Sequence, residues 1–221
     1  MIPLRDDNPT RTFSFVTIAL IVANVAVFLY EWTLPSEPAI RAFFADFALI
    51  PVAVTEARNV DAYATVLTSM FLHGGWLHLI GNMLYLWIFG NNIEDSVGHV
   101  AFIIFYLLCG IAAATAQIAV NPDSAVPMVG ASGAVSGVLG AYLLLFPRAR
   151  VLVALPIWIF IKLFYVPAVL LLVLWFGMQL LSGSATVGRE GGVAFWAHIG
   201  GFVAGMVLIP IFKRRQVRLF Q

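Results

Sequence analysis

The sequence has little of what soluble and secreted proteins use to stabilise a fold. It contains one cysteine, Cys109, so no disulfide can form within the chain. Because Cys109 lies in an apolar run, we interpret it as a small buried hydrophobic residue. Charged residues make up 10% of the chain, against about 25% in soluble domains, which excludes an ordinary soluble globular protein. The net charge of +1 gives no reason to expect a nucleic acid as a partner.

Hydrophobic residues are abundant instead. They make up 62% of 221 residues, which indicates an integral membrane protein in the lipid bilayer, formed by one compact bundle. Apolar runs predict six transmembrane helices, at residues 13–34, 77–93, 100–120, 132–146, 166–181 and 194–212. We therefore predict an all-α, multi-pass membrane protein with a short central fourth helix. Residues 1–12 form an N-terminal tail, 13–212 the membrane domain and 213–221 a basic C-terminal tail.

Two connections between the predicted spans contain segments that are expected to form structure of their own. The longest, residues 35–76, contains the short stretches 40–44 and 63–71, which suit helices that lie in the membrane interface. Residues 151–165 precede the fifth span and contain Pro156. We predict a hairpin-like or re-entrant piece there, with Lys162 reaching the interface. Glu94 and Asp95 are expected to end the second span.

The distribution of positive charge predicts how the bundle is oriented. With six spans both termini lie on one side, together with eight of the twelve Lys and Arg residues: Arg5, Arg11, Arg148, Arg150, Lys213, Arg214, Arg215 and Arg218. The opposite side holds only Arg41, Arg58 and Arg189. The positive-inside rule then places both termini inside and the start of the fourth helix outside. An organellar transit peptide is poor in acidic residues, and the first residues of this chain do not have that composition. The predicted location is therefore a bacterial cytoplasmic (inner) membrane.

Residues 130–137, Gly-Ala-Ser-Gly-Ala-Val-Ser-Gly, place Ser132 at the start of the fourth helix. A helix over 132–146 is about 22 Å long, whereas the bilayer core is about 30 Å thick. If the far end of the helix reaches one surface, Ser132 lies below the other. The preceding residues 126–130 are apolar but unsuited to a helix, and irregular backbone at membrane depth must line protein or a water-filled cavity. Ser132 is therefore a candidate nucleophile.

His198, near the outer start of the sixth span, is the clearest candidate to activate Ser132, because ionisable residues inside membranes are costly and usually functional. Small residues at four-residue intervals predict close packing of the fourth and sixth helices: Gly133, Gly137 and Ala141 in one, and Ala197, Gly201 and Gly205 in the other. Since all Asp and Glu residues lie in loops or at span ends, we predict a Ser-His dyad with His198 as general base. The group that orients its imidazole is left open. Ser136, one turn deeper, is the rival nucleophile.

His78 and Asn82 lie four residues apart, on one face of the second span near its outer end. An imidazole and a carboxamide are donors that can stabilise an oxyanion, although hydrogen bonding between helices would explain them equally well. His73 is more readily explained as a loop or packing residue, and His99 as a solvated interfacial one. A zinc site built from His73, His78 and His198 is disfavoured, because no H-E-x-x-H pattern and no nearby carboxylate accompany them.

Taken together, these residues resemble the rhomboid family of intramembrane serine proteases. The matching pieces are residues 73–78 (His-Gly-Gly-Trp-Leu-His) with Asn82, 130–133 (Gly-Ala-Ser-Gly), and 197–201 (Ala-His-Ile-Gly-Gly) with Gly205. The resemblance covers about residues 12–212 and implies a six-helix bundle with a water-filled cavity open to the outside. It implies that Ser132 is the nucleophile, His198 the base, and His78 and Asn82 oxyanion donors.

By the same resemblance, the substrates are membrane-anchored proteins cut in or near their transmembrane segments, without a cofactor. Family members often carry an aromatic residue four positions after the nucleophile, against which the catalytic histidine packs. This chain has Ser136 there, which leaves the support of His198 unexplained. The alternative function is a weak or inactive rhomboid-like protein that binds membrane-protein clients. A small-solute transporter would need an internal repeat and charges at mid-membrane, and the sequence has neither.

Overall fold

The structure is a computed structural model, which describes residues 2–57, 59–158, 160–186 and 194–221. Arg58 and Arg189, both used in the charge argument above, lie outside the described residues. The fold is mostly helical, as predicted. Its helices are α1 (Phe15–Trp32), α2 (Glu37–Phe47), α3 (Pro51–Ala57), α4 (Val60–Thr68), α5 (Trp76–Tyr85), α6 (Asn91–Val97), α7 (His99–Val120), α8 (Ser132–Leu145), α9 (Ala168–Thr186) and α10 (Phe195–Phe212). Its strands are β1 (Ile2–Asp6), β2 (Arg150–Ile157) and β3 (Phe160–Pro167).

Four helices in the described part of the chain are long and apolar enough to cross a membrane, namely α1, α7, α9 and α10. Helix α8 is apolar but has 14 residues, so it is only about 21 Å long. The predicted second span is continuous helix with a change of pitch, because the π-helical segment Leu86–Gly90 joins α5 to α6. The predicted span boundaries fall close to the ends of these helices.

The connection between α1 and α5 contains three short helices and a single 3-10 turn, Ser69–Phe71. The sequence predicted two helical stretches here, and α3 is additional. Side-chain caps explain where two of them begin, since Ser36 accepts a hydrogen bond from the Ala39 N–H and Asn59 accepts one from the Ala62 N–H. Pro51 stands at the first position of α3, where its missing N–H costs no hydrogen bond.

Helix α8 lies at the centre of the bundle, and all but three of its 14 residues are buried. It packs against α7 and α10 through glycine and alanine. A methyl carbon added at Gly140 would lie 2.9 Å from the carbonyl carbon of Phe202 on α10, so these helices touch backbone to backbone. On the other side, a methyl carbon at Gly137 would collide with Cys109 of α7, which is fully buried as predicted.

The three strands form one antiparallel sheet in the order β1-β2-β3, so the all-α prediction is wrong for this part of the chain. The piece predicted as hairpin-like over 151–165 is a β-hairpin in which Arg150 pairs with Pro167 and Ile157 with Phe160. Ile2 pairs with Ala154 of β2, which brings the N-terminal tail into the sheet. The segment 151–165 contains Pro156 and is too short to cross the membrane as a helix. Pairing between the strands of the hairpin forms its backbone hydrogen bonds instead.

Two neighbouring carboxyl groups at the end of β1 have different surroundings. Burial raises the pKa of Asp6, while a hydrogen bond of 2.6 Å donated by the Tyr142 hydroxyl opposes that shift. The backbone N–H of Arg150 donates to the Asp7 carboxylate at 2.7 Å and lowers the pKa of Asp7, and the Arg150 guanidinium adds to the effect at 3.0 Å.

Contacts between distant segments bring both termini to the same end of the bundle. The Arg11 N–H donates to Asp95 at 3.1 Å, which holds the N-terminal tail against the last turn of α6. The Arg214 N–H donates to the Ser96 carbonyl oxygen of that turn at 2.9 Å. The Phe220 N–H donates to the last turn of α8 at 2.8 Å. The starts of α5, α8 and α10 are therefore at the opposite end.

Glu94 does not end the second span as predicted, because the helix continues through it to Val97. Its side chain is fully buried and accepts hydrogen bonds from the Val16 N–H at 3.0 Å and the Thr17 N–H at 2.7 Å, which caps the start of α1. His99 is not simply solvated, since its Nδ1 lies 2.6 Å from Glu94 and its ring stacks on Phe15.

Candidate active site

Ser132 is held in place by an extended segment that runs into α8. Met128 exchanges two backbone hydrogen bonds with Leu49, of 2.7 and 3.1 Å, in an isolated antiparallel bridge. Gly130 then turns the chain with φ of +116°, a conformation that L side chains rarely adopt. A methyl carbon added there would also lie 2.6 Å from the ring of His78. Glycine is therefore required both for the turn and for the close approach of His78.

The hydroxyl of Ser132 and the imidazole of His198 are in direct contact, with 2.8 Å between Oγ and Nε2. Close packing of α8 against α10 creates this contact. A methyl carbon added at Gly201 would lie 2.9 Å from the carbonyl carbon of Gly133, which confirms the predicted approach of the two small-residue faces. The helices meet at the level of the two side chains, one residue after Ser132 and three after His198.

The second ring nitrogen of His198 contacts Gln179 of α9, with 2.8 Å between Nδ1 and Oε1. The Trp175 ring, one turn earlier on α9, lies 5.9 Å from the imidazole ring, centroid to centroid. Sequence reasoning missed Gln179, which supplies the hydrogen bond to His198 that was left unidentified. The signal was present, because Gln179 is the one amide in the apolar run of α9. A lone polar side chain in a spanning helix usually faces the protein interior.

Ser136, the rival nucleophile, is buried and has a different partner. Its hydroxyl donates to the carbonyl oxygen of Ser132 at 2.6 Å, which is the bond that serines inside helices commonly make one turn back. The Ser136 hydroxyl is thus engaged by its own helix, while the Ser132 hydroxyl contacts the imidazole.

His78 and Asn82 lie beside the turn at Gly130, two residues before Ser132. A methyl carbon added at Gly130 would lie 2.6 Å from Nε2 of His78 and 3.5 Å from Nδ2 of Asn82, so both groups border the start of α8. The Asn82 amide nitrogen lies 3.1 Å from His73 Nε2. His73 is buried, and its backbone N–H donates to Glu31 of α1 at 3.2 Å. His73 is therefore a packing residue, as expected, and its contact with the Asn82 amide helps to position that amide.

These groups line one cavity with a volume of about 980 Å³. Ser132, His198, His78 and Asn82 all contribute to its wall, at the end of the bundle opposite the termini. Within the described parts of the chain, no three His, Cys, Asp or Glu side chains are grouped as metal ligands would be. Chemically, the arrangement offers a hydroxyl hydrogen-bonded to an imidazole, with the side chains of His78 and Asn82 on α5 as further donors beside Gly130.

Comparison with known proteins agrees with the resemblance to the rhomboid family. The family model of the Rhomboid domain matches residues 60–215, which include all four of these residues. Rhomboid protein 1, mitochondrial, of Saccharomyces cerevisiae is 30% identical over 219 residues, which cover 91% of this chain and 56% of the yeast protein. The chain thus spans about half the length of that relative.

Two further relatives are named as proteases. Rhomboid protease GluP of Bacillus subtilis is 41% identical over 78 residues, or 35% of this chain and 15% of that protein. Rhomboid-like protease 5 of Toxoplasma gondii is 32% identical over 156 residues, or 69% of this chain and 16% of that protein. Both relatives are much longer than this chain, so the similarity covers only 15% and 16% of their lengths.

Proposed function

The chain belongs to the rhomboid family, and from this premise we propose that it is an intramembrane serine endopeptidase with a Ser-His dyad. Its substrates are membrane-anchored proteins, cut in or near their transmembrane segments. The observation that carries the proposal is the 2.8 Å contact between Ser132 Oγ and His198 Nε2 in the wall of a cavity. A family member that only binds clients has no need of this contact.

In the proposed reaction, Nε2 of His198 takes the hydroxyl proton while Ser132 Oγ attacks the carbonyl carbon of the scissile peptide bond. The carbonyl oxygen becomes an oxyanion, to which His78, Asn82 and the Ser132 N–H donate hydrogen bonds. His198 then gives its proton to the leaving nitrogen, the C–N bond breaks, and an acyl ester remains on Ser132. Water, deprotonated by His198, cleaves this ester, and Ser132 regains its proton.

The proposed architecture has six spans: the four long helices, the continuous helix from Trp76 to Val97, and the short α8. The tail before residue 13 and the tail after residue 212 then lie on one side, in agreement with the contacts of Arg11 and Arg214 at one end of the bundle. A short α8 has a function in this arrangement, because it keeps Ser132 below the surface and still in reach of water.

The positive-inside rule makes the end with both termini cytoplasmic, so the cavity opens to the outside. The proposed location is a bacterial cytoplasmic membrane, although several relatives are named as mitochondrial or chloroplastic proteins.

The orientation is tested by introducing single cysteines into a Cys109→Ala background and labelling intact cells with an impermeant maleimide. A cysteine near residue 123 should react, and one near residue 216 should react only after lysis.

The protease proposal is tested with purified protein in liposomes and a panel of model transmembrane substrates. Wild type should cut a substrate and react with a fluorophosphonate probe, and Ser132→Ala and His198→Ala should do neither. Ser136→Ala is the matched control, since it removes a hydroxyl from the same helix. Cleavage that persisted in Ser132→Ala would refute the nucleophile assignment. If wild type neither cut nor reacted but still bound substrates, the client-binding function would replace this proposal.

A further inference from the structure

The ring of His198 is hydrogen-bonded at both nitrogens, and the two partners come from different helices. Nε2 lies 2.8 Å from the Ser132 hydroxyl of α8, and Nδ1 lies 2.8 Å from Oε1 of Gln179 on α9. We propose that Gln179 is a positioning residue that holds His198 in the tautomer with the proton on Nδ1. This inference rests on the proposed function and adds to it the group that orients the base.

The required tautomer follows from the role of the base. To accept the proton of Ser132, Nε2 must carry a free lone pair, so the single proton of the neutral ring is on Nδ1. That proton needs an acceptor, because a partly buried N–H without one loses its hydrogen bonds to water and gains nothing in return. The carbonyl oxygen of the Gln179 amide is such an acceptor, and the amide nitrogen could not serve.

An amide fits this position better than a carboxylate for a reason of charge. Serine hydrolases that work in water often place an Asp behind the histidine. Here the orienting group is carried by α9, a spanning helix with mean hydropathy of 1.8, where a charged side chain would be costly. Gln179 supplies the same acceptor geometry without a net charge. Its amide orients the ring but, unlike a carboxylate, cannot stabilise an imidazolium by charge.

Aromatic packing fixes the position of α9 along the axis of α10, and therefore also the position of the Gln179 amide. The Phe176 ring stacks on Phe202 with 4.6 Å between ring centroids, and Trp175 lies 6.0 Å from the same ring. Trp175 also flanks the imidazole at 5.9 Å. Ser136 of α8 bonds within its own helix, whereas Trp175 and Gln179 of α9 both lie against the imidazole.

Three variants separate positioning from simple packing. Gln179→Met keeps the length of the side chain and removes the acceptor, and Gln179→Glu keeps an acceptor oxygen. Gln117→Met is the matched control, because the Gln117 amide lines the same cavity but accepts its hydrogen bond of 3.3 Å from the Ala197 N–H instead of from the imidazole. Each protein is labelled with ¹⁵N-histidine, its ring nitrogen shifts are recorded, and kcat and KM are measured with a model transmembrane substrate.

In wild type the ¹⁵N shifts of His198 should report protonated Nδ1 and unprotonated Nε2. Gln179→Met should add the opposite tautomer and lower kcat by about tenfold to 100-fold with KM unchanged, which corresponds to the loss of one buried hydrogen bond. Gln179→Glu should keep the wild-type tautomer in the protein that folds, because its carboxylate oxygen also accepts the Nδ1 proton. Gln117→Met should leave both ring shifts as in wild type.

The inference is overturned if Gln179→Met keeps the wild-type shifts and kcat while Ser132→Ala abolishes cleavage, since the dyad would then work without the amide. It is also overturned if Gln179→Met lowers kcat while its ¹⁵N shifts still report the wild-type tautomer, because the loss would then not come from the positioning of the ring. If wild type itself does not cut any substrate or react with the fluorophosphonate, the proposed function fails and the inference fails with it. The two failures are therefore distinguishable.

Discussion

Replacing Gly201 by alanine tests whether the contact between two helix backbones sets the geometry of the dyad. A methyl carbon at this position would lie 2.9 Å from the carbonyl carbon of Gly133 and closer still to its oxygen. Carbon atoms normally approach to about 3.5–4.0 Å, so α8 and α10 must move apart by roughly 1 Å. The backbone on both sides is helical, and neither side can yield by a rotamer change.

This movement acts directly on the dyad, because Gly133 follows Ser132 and Gly201 lies less than one turn after His198. The 2.8 Å between Ser132 Oγ and His198 Nε2 would lengthen to roughly 3.8 Å, which is beyond hydrogen-bond distance. Misplacement of about 1 Å costs on the order of 100-fold in rate. We expect Gly201→Ala to lower kcat/KM by about 100-fold and the rate of fluorophosphonate labelling by a similar factor.

Overpacking should also lower the free energy of unfolding by about 1–3 kcal/mol, so folding is checked by thermal unfolding in the same detergent. Gly177→Ala is the matched control, because no atom lies within 4 Å of a methyl carbon added at Gly177 on α9. It should keep full activity and gain a little stability from better helix propensity. Folded Gly201→Ala with wild-type cleavage and labelling would refute the argument that the glycine contact positions the dyad.

Three other changes have outcomes that the structure predicts. Ser136→Ala should cut substrate within about threefold of the wild-type rate, because its hydroxyl donates to the carbonyl oxygen of Ser132. Glu94→Ala should lower the free energy of unfolding by about 3 kcal/mol, since it leaves buried partners without their acceptor. Asp7→Asn should lower the unfolding temperature above about pH 5, where the native carboxylate is stabilised by the Arg150 N–H. Because this bond lowers the pKa of Asp7 in the folded state, the deficit should shrink as the pH falls below about 4.

Each of these outcomes has a comparison that checks its cause. For Ser136→Ala the comparison is Ser132→Ala, which removes the hydroxyl that contacts the imidazole and should abolish cleavage. Glu37→Gln breaks an exposed ion pair and should change stability by less than about 0.5 kcal/mol. The charge of Asp7 is one cause of the raised pKa of Asp6, so Asp7→Asn also removes that contribution from Asp6. A deficit of Asp7→Asn that persisted unchanged at low pH would contradict the assignment.

The long apolar helices and the candidate dyad could be predicted from the sequence because each depends on local patterns. Apolar runs give the helices, and small residues spaced four apart give the face on which α8 meets α10. His198 could be identified because a histidine in an apolar span is rare. Ser132 stood out because a short helix starts there after an irregular apolar segment.

Other features depend on pairings between distant segments, which one sequence does not record. Gln179 was visible as a lone amide, but its direction depends on how α9 packs on α10 through Phe176. In the sequence, Glu94 is typical of a charged residue at a helix end. Its role as a buried cap for α1 depends on the packing of α1 against it, which the sequence does not show. The strands over 150–167 resemble part of a span by composition, and their pairing with the N-terminal tail could not be inferred from either segment alone.

The pairing of Ile2 with Ala154 has a consequence for the order of assembly. Strand β1 leaves the ribosome first, yet its partner emerges only after α1, α5 to α8 and the turn before β2 have been made. At about 5–20 residues per second, the first strand waits on the order of 10–30 s for β2. The sheet therefore forms only after α8, the helix that carries Ser132, has been made, and a label on β1 would report during synthesis when that stage is reached.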